Sequence, residues 1–532
     1  MKTYTFDDPE QGFISYVDGK RYLWLISVLF PLVPLIGMGL MNWSGQQWML
    51  WVPLIGLYIL IPVLDFLFPN DRSNPPEQVV PQLEADTYYR VLNYLTVPLH
   101  FFILITGAWF VASHDLGWSG LLGLSLMVGV ISGFGINTGH ELGHKKTHMD
   151  RLAARMVLAV PFYGHFTMEH NVGHHAEVAT PEDTASARFG ESIYKYVLRE
   201  LPGGISRGWK LESKRLQRQG FRTWSVHNSI LQSYLVSIVL YGGLIITFGM
   251  VVLPFLLIQT AYAWWQLTSA NYIEHYGLLR EKLPSGRYER CLPHHSWNAN
   301  HVASNLVTFH LERHSDHHAY AARHYQSLRH FDDVPQLPSG YFGMFLLAYV
   351  PPLWRKVMDP KVIEWANGDM SHVNVDPAWR AMKRDMTFWL IQVPGWLLLL
   401  YLIYAQAIPA FNYEAGVSMG TQESVDVVSG VGVAFWYGFA FGDLLVYIPI
   451  LTLGLIGYWT GKSWGRVLLG AALGVTIYWP VVCLAALVAA RDAPGWNLAN
   501  ETPYWVVLPL ITLWGVWALW RLTQGGCNET ED

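Results

Sequence analysis

The chain has 532 residues, of which 52% are hydrophobic and only 14% charged, against about a quarter charged in a soluble domain. A chain so poor in charge has lipid as its main solvent, which disfavours disorder and coiled coil. With 35 Lys and Arg against 40 Asp and Glu, no basic excess exists to hold a nucleic-acid backbone. Two features stand out: 21 histidines, and only three widely spaced cysteines, Cys291, Cys483 and Cys527. That cysteine usage excludes a disulfide framework, a four-cysteine iron site and an iron–sulfur cluster.

The N-terminus, MKTYTFDDPEQGFISYVDGKRY, is a long polar lead with acidic residues and does not read as a cleavable signal peptide. A bilayer core of about 30 Å needs roughly 20 apolar residues per helix, and such runs occur at 22–40, 48–68, 92–113 and 117–137. Residues 229–270 hold no Asp, Glu, Lys or Arg. One helix of that length would run ~63 Å at 1.5 Å per residue, twice the membrane, so the segment reads as two spans turning near Gly249–Pro254. Runs at 386–408, 429–458, 465–489 and 503–521 bring the expected total to ten. Lys and Arg are missing from 41–47, 249–254 and 409–428 and concentrate in the N-terminus, 138–228, 271–385 and 460–466. The positive-inside rule then places the second group, and both termini, in the cytoplasm. The expected fold is all-α, a polytopic membrane helix bundle. Residues 1–385 form a six-helix part capped by the two long cytoplasmic loops, and 386–532 form four further spans.

Those two loops hold 19 of the 21 histidines, in four clusters: NTGHELGHK at 137–145, EHNVGHH at 169–175, NYIEHYG at 271–277 and LERHSDHH at 311–318. His140 and His144 continue the 117–137 helix with both rings on one face. His170, His174 and His175 combine the same i,i+4 spacing with an adjacent ring, and His314, His317 and His318 repeat a related pattern. His275 falls five residues past the end of 229–270, just beyond the membrane face. A lone histidine is more often packed or interfacial than a ligand. Nine in short-spaced clusters would repel one another if charged, and if buried and neutral their nitrogens need partners. A metal supplies that partner. One tetrahedral ion takes at most four protein ligands, so nine suggest two ions, and imidazole suits iron, copper, nickel or zinc.

These motifs, in this order and with these spans between them, resemble the integral-membrane alkane 1-monooxygenase family, similar in plan to the membrane fatty-acid desaturases and to xylene side-chain monooxygenase. NPPEQVVP at 74–81, WWQLTSANYIEHYGLLR at 264–280, PHHSWNANH at 293–301 and VMDPKV at 357–362 extend the likeness over about residues 10–380. NYIEHYG is the most specific element, since desaturases share the split histidine boxes without it. The resemblance implies a bacterial-type inner-membrane enzyme of hydrocarbon degradation. Its non-haem diiron centre uses O2 to hydroxylate the terminal methyl of medium-chain n-alkanes to 1-alkanols. Its ligand set falls on His140, His144, His170, His174, His175, His275, His314, His317 and His318, none substituted. It also implies reduced rubredoxin as electron donor, with its reductase upstream; the chain carries no flavin fingerprint, haem motif or CxxC pair of its own.

Beside the boxes, Glu141, Glu169, Asp183, Glu274, Glu312 and Asp316 are candidates to accept the second N–H of bound imidazoles, with structural salt bridging an equal alternative for each. An alkane has no polar handle and must be oriented by shape in an apolar channel. Trp24, Trp48, Trp51, Trp264 and Trp265 are candidate walls, although an interfacial anchor is the commoner role for any such ring. The 48–68 span, through Leu57 and Trp51, is the expected determinant of chain length. Segment 195–222 carries a net charge of +6. Within it Lys210, Lys214, Arg215 and Arg218 are candidates to steer an acidic donor, the alternative being contact with anionic headgroups.

Other readings compete. HELGH at 140–144 fits the zinc-protease pattern H-E-x-x-H but leaves most other histidines unexplained. A metal transporter places histidines at membrane depth, whereas these lie beyond the span ends. A desaturase or xylene-type hydroxylase shares the ligands and differs in product. Residues 386–532 go beyond the family pattern; Asp443, mid-span at 429–458, is a functional candidate as an intramembrane acid.

Overall fold

The structure, a computed structural model, describes residues 2–10, 12–377, 386–498 and 500–524; Cys527 lies outside them. Among the described residues nine helices are long and apolar enough to cross a membrane, and a bent pair makes a tenth span. The chain is a helical integral membrane protein, and it divides into two compact units, Met1–Asp376 and Pro377–Asp532.

The first unit opens with a feature the sequence reading missed. Strands β1 (Lys2–Asp8) and β2 (Gly12–Asp18) pair as an antiparallel hairpin. The polar lead hides a period-two pattern of β-branched and aromatic residues that suits a strand. The Tyr4 hydroxyl and the Arg21 guanidinium both donate to Asp86, at 2.7 and 2.6 Å, tying the hairpin down. The expected 22–40 span is broken: α1 (Leu25–Leu29) and α2 (Pro34–Ser44) belong to segments bent by 42°. Pro31 and Pro34 remove two amide donors within one turn, which accounts for the break.

The other long helices of this unit are α3 (Val52–Leu67), α4 (Thr87–Ser113), α5 (Trp118–Gly143), α6 (His148–Ala159), α7 (Ile193–Arg218), α8 (Ser229–Phe248), α9 (Leu253–His275), α10 (Tyr341–Ala348) and α11 (Pro351–Trp365). Two of them show how burial is distributed. The apolar window of α5 is 67% buried, that of α8 only 22%. Glycine lets α5 sit innermost: a Cβ on Gly129 or Gly133 would lie 2.8 Å from Cβ of Tyr262 or Gln266 on α9, so small residues allow the two backbones to approach. The α8–α9 turn falls at Gly249, whose φ is +84°. Helix α9 then runs to His275, so that histidine is the last residue of the helix and not a loop residue beyond it.

The second unit contains α12 (Met386–Leu402), α13 (Val425–Gly442), α14 (Ser463–Ala490) and α15 (Thr502–Gln524). Leu398, Leu402, Leu451, Leu455, Leu469 and Leu473 fill its core. The overlong span Val425–Trp459 is accommodated by a kink at Ser429, with φ of 65°, and by a π-turn at Asp443–Tyr447.

Candidate metal centre

Helix α5 delivers His140 and His144 from its last turn. The second motif does not form a plain α-helix: Glu169–His174 is a π-turn, in which hydrogen bonds run from i to i+5. The wider turn sets His170 edge-on to His175, their Nε2 atoms 3.0 Å apart, while His174, its ring 5.1 Å from that of His170, groups with His275, His314 and His318. His314, His317 and His318 ride on the short helix His314–Ala319.

All nine side chains come together, in two groups: His140, His144, His170, His175 and His317, and His174, His275, His314 and His318, with the candidate ligand atoms of each group within 4.8 Å of one another. The groups abut, the rings of His175 and His318 stacking at 4.4 Å. Nε2 of His317 lies 2.8 Å from Nε2 of His140 and 3.3 Å from Nε2 of His175, and Nε2 of His275 lies 3.2 Å from Nε2 of His314. Nε2 of His144 and of His174, and both ring nitrogens of His318, have no hydrogen-bond partner. Nitrogens converging on one point cannot satisfy one another pairwise, because each contact shares at most one proton. A cation within each group satisfies them together, so the residues fit a metal. Burial first and neighbouring rings second hold His144, His170, His175, His314, His317 and His318 well below the ordinary imidazole range. They are therefore neutral, with lone pairs available.

His174 differs. Burial opposes its charge, but the Asp183 carboxylate 2.8 Å from Nδ1 outweighs that and raises its pKa. Asp183 in turn accepts from Ser186 Oγ and from Arg207, both at 2.7 Å. Arg207 also holds Glu169 and Glu177. This is the carboxylate–imidazole pairing that orients metal-bound histidines. Glu274 approaches the same group: Oε2 lies 3.2 Å from His314 Nε2 and Oε1 accepts from the Tyr341 hydroxyl at 2.8 Å.

A cavity of about 70 Å³ borders this centre. Phe134, Ile136, Phe166, Leu267, Phe342 and Phe345 line it together with His140, His170 and His314, which come from both groups.

The comparisons match this architecture. The fatty acid desaturase family model matches residues 116–348. Alkane 1-monooxygenase 1 of Alcanivorax borkumensis is 55% identical over 368 residues, covering 69% of this chain and 91% of the relative. Alkane 1-monooxygenase of Ectopseudomonas oleovorans is 54% identical over 366 residues, with the same coverage. The chain belongs to the alkane 1-monooxygenase family. More distantly, the hydroxylase component of a Pseudomonas putida xylene/toluene monooxygenase is 28% identical over 369 residues, 66% of this chain and 86% of that one.

The remaining sequence candidates of this family member fall as follows. Of the six carboxylates, Asp183 and Glu274 meet a clustered histidine; the other four serve the scaffold. Glu141 pairs with Lys145 at 3.0 Å, so the glutamate of HELGH is not placed as a protease base. Glu169 clamps Arg207, Glu312 accepts from Tyr341 N and Ser304 Oγ at 2.9 and 3.0 Å, and Asp316 takes Arg329 at 2.6 Å. None of the five named tryptophans lines the cavity. Trp24 packs edge-on against His310 and Tyr325, Trp51 donates to Ser119 O at 2.9 Å, Trp264 donates to Pro161 O at 2.8 Å, Trp265 stacks on Tyr194 and Trp48 is exposed. Leu57 packs in the cluster that contains Phe342 and does not itself line the cavity. On α7, Arg215 is paired to Glu212 at 2.6 Å, whereas Lys210, Lys214 and Arg218 are exposed. Arg207, counted in the basic segment, is the anchor of Asp183. A third cluster, Glu289, His294 and His295, is not a metal site by its hydrogen bonding. The Leu292 amide donates to His295 Nδ1 at 3.0 Å, which leaves the proton on Nε2, facing Glu289 at 3.2 Å.

Proposed function

We propose that the chain is a diiron monooxygenase that hydroxylates the terminal methyl of medium-chain n-alkanes to 1-alkanols, with O2 and electrons from reduced rubredoxin. The cavity carries the reading: apolar along its walls and bordered by members of both histidine groups, it suits a chain with no polar handle presented methyl first. The names of the relatives supply the alkane. Five nitrogens would hold one iron and four the other, and iron, when bound, supplies the O2 activation that an unactivated C–H bond requires. The chain's residues do the rest. Neutral imidazoles offer lone pairs, Asp183 fixes the tautomer and orientation of His174, and Phe134, Phe342 and Phe345 align the substrate and exclude water. Residues 1–385 form the monooxygenase domain in this reading, and the basic loops, the termini and the metal centre face the cytoplasm of a bacterial inner membrane.

The donor docks on a basic face. A cavity of about 480 Å³ is lined by Lys145, Arg151, Arg155, Arg215 and His227, with no acid on its walls. Gly143 and Asn171 also line it and adjoin His144 and His170 in sequence, so an acidic protein seated there, steered by Lys210, Lys214 and Arg218, comes close to the five-histidine group. The test is iron quantification with product analysis in native membranes supplied with reduced rubredoxin and, in turn, an n-alkane, a fatty acyl thioester and a xylene. Two irons per chain and a primary alcohol from the alkane are expected; an alkene from the thioester, or turnover of the xylene alone, overturns the reading.

A further inference from the structure

The second unit carries one acid that its packing does not use. Asp443 stands near the middle of the span Val425–Trp459. It is 7% exposed and has no side-chain hydrogen bond or ion pair among the described residues. The described cations of the unit, Lys462, Arg466, Arg491 and Arg521, all sit at the ends of α14 and α15. Other buried polar groups nearby are engaged: Gln392 donates to Leu455 O at 3.0 Å, and the Tyr447 hydroxyl pairs with Thr476. An acid at membrane depth with neither counter-ion nor donor is costly and marks a functional site.

The backbone around Asp443 adds further oxygen atoms. Asp443 opens the π-turn Asp443–Tyr447, and a second π-turn, Ile403–Ala407, packs against it. Each turn runs directly into Ile-Pro, at Ile408–Pro409 and Ile448–Pro449, so one device recurs on two helices. The Ile448 amide donates to Asp443 O, and Pro449 has no N–H, so Leu444 O has neither an i+4 nor an i+5 donor. The second turn supplies Gln406, whose Oε1 is buried without a partner. A carboxylate, a main-chain carbonyl and an amide oxygen thus occupy two adjacent breaks in membrane helices, the kind of place where transporters hold small cations. One acid balances one positive charge, which favours a monovalent ion. The ionisable groups facing Asp443 are Tyr401 of α12, Tyr447 of its own turn and Cys483 of α14, and none of them is a cation.

We propose that Asp443 is the centre of a sodium site at the paired π-turns of the second unit, with Gln406 Oε1 and Leu444 O as further ligands and a proton as the competitor for the carboxylate. The site lies wholly within the second unit and is independent of the alkane-hydroxylation reading above. It gives the four additional spans a chemical role of their own, the binding of an ion at the depth of the bilayer.

The test is labelling of the full chain in native membranes with dicyclohexylcarbodiimide, a lipid-soluble reagent that adds to a protonated carboxyl, with the adduct at Asp443 measured by mass spectrometry. Labelling is expected at low pH and in the absence of sodium. Sodium chloride, at fixed pH and with choline chloride keeping the ionic strength constant, is expected to suppress it, and lowering the pH to restore it. In Gln406→Leu the sodium concentration that halves the labelling is expected to rise about tenfold. That concentration does not depend on how much of the variant is made. An Asp443 that is never labelled overturns the proposal. So does labelling that responds to pH and not to sodium, which leaves only a buried protonated acid. Neither result bears on alkane turnover, so the failure of this site and the failure of the alkane reading are separate outcomes.

Discussion

In the first unit the most enclosed helix, α5, has an apolar window 67% buried and ends in two clustered histidines; in the second unit no span window exceeds 39% burial, and no histidine occurs after His372. The difference follows from what each helix is solvated by. A helix surrounded by protein can carry polar side chains inward, because neighbours satisfy them. A helix that mostly faces lipid has no such partners, and the second unit accordingly buries leucine. Its few buried polar side chains include Gln392 and Thr476, both hydrogen-bonded, and Asp443, which has no side-chain hydrogen bond or ion pair among the described residues. The first two clustered histidines sit at the end of the most shielded helix, and the relative that matches 368 residues of this chain corresponds in size to the first unit.

The largest expected effects test the division inside the first unit. His275→Ala, from the group of four histidines, is expected to abolish turnover and halve bound iron, whereas His144→Ala, from the group of five, is expected to lose turnover but keep most of its iron. Metal analysis of purified variants checks this, and equal loss from both would erase the distinction. Next, Asp183→Asn is expected to weaken iron retention in a chelator titration by about 10–100-fold, while Glu141→Gln, at a side chain paired with Lys145, leaves retention as in wild type. A Lys210→Glu, Lys214→Glu double variant should lower rubredoxin-coupled turnover several-fold, as high salt does to wild type, with membrane insertion unaffected; loss of insertion instead would assign these lysines to headgroups. Leu57→Ala should extend the accepted alkanes only modestly, because the residue packs in the cluster that contains Phe342 and does not itself line the cavity; an unchanged product range would remove Leu57 from the specificity account. The smallest effect is expected from truncation after residue 385. Retained alkane turnover would confine catalysis to the first unit, and its loss would give the second unit a share in it.

Much of this was legible from residue types alone. Apolar runs give the number of spans because a bilayer has a fixed thickness, and nine histidines in short-spaced clusters point to groups that could hold a metal, because so many buried imidazoles need partners for their nitrogens. The partition into five and four was not legible: it involves a π-turn, and nothing in EHNVGHH distinguishes an i+4 from an i+5 pairing of rings. Nor was the N-terminal hairpin, whose strands are too polar to stand out. The cavity walls were misjudged for a different reason. Tryptophan draws the eye in a membrane sequence, yet the indole N–H seeks a carbonyl, as Trp51 and Trp264 show, and phenylalanine, with nothing to satisfy, faces the cavity instead. Arg207 was read as surface charge because sequence does not reveal that three acids close around it.

The π-turn at Glu169–His174 also acts as a ruler. One widened loop of backbone carries members of both histidine groups, His170 and His174, so the spacing between these two rings is set by covalent geometry within a six-residue segment. A bridging side chain, which can swing, is not needed to define it. Any motion of that segment carries both sites together, and the pair is kept in register by a length of peptide that neither compresses nor stretches.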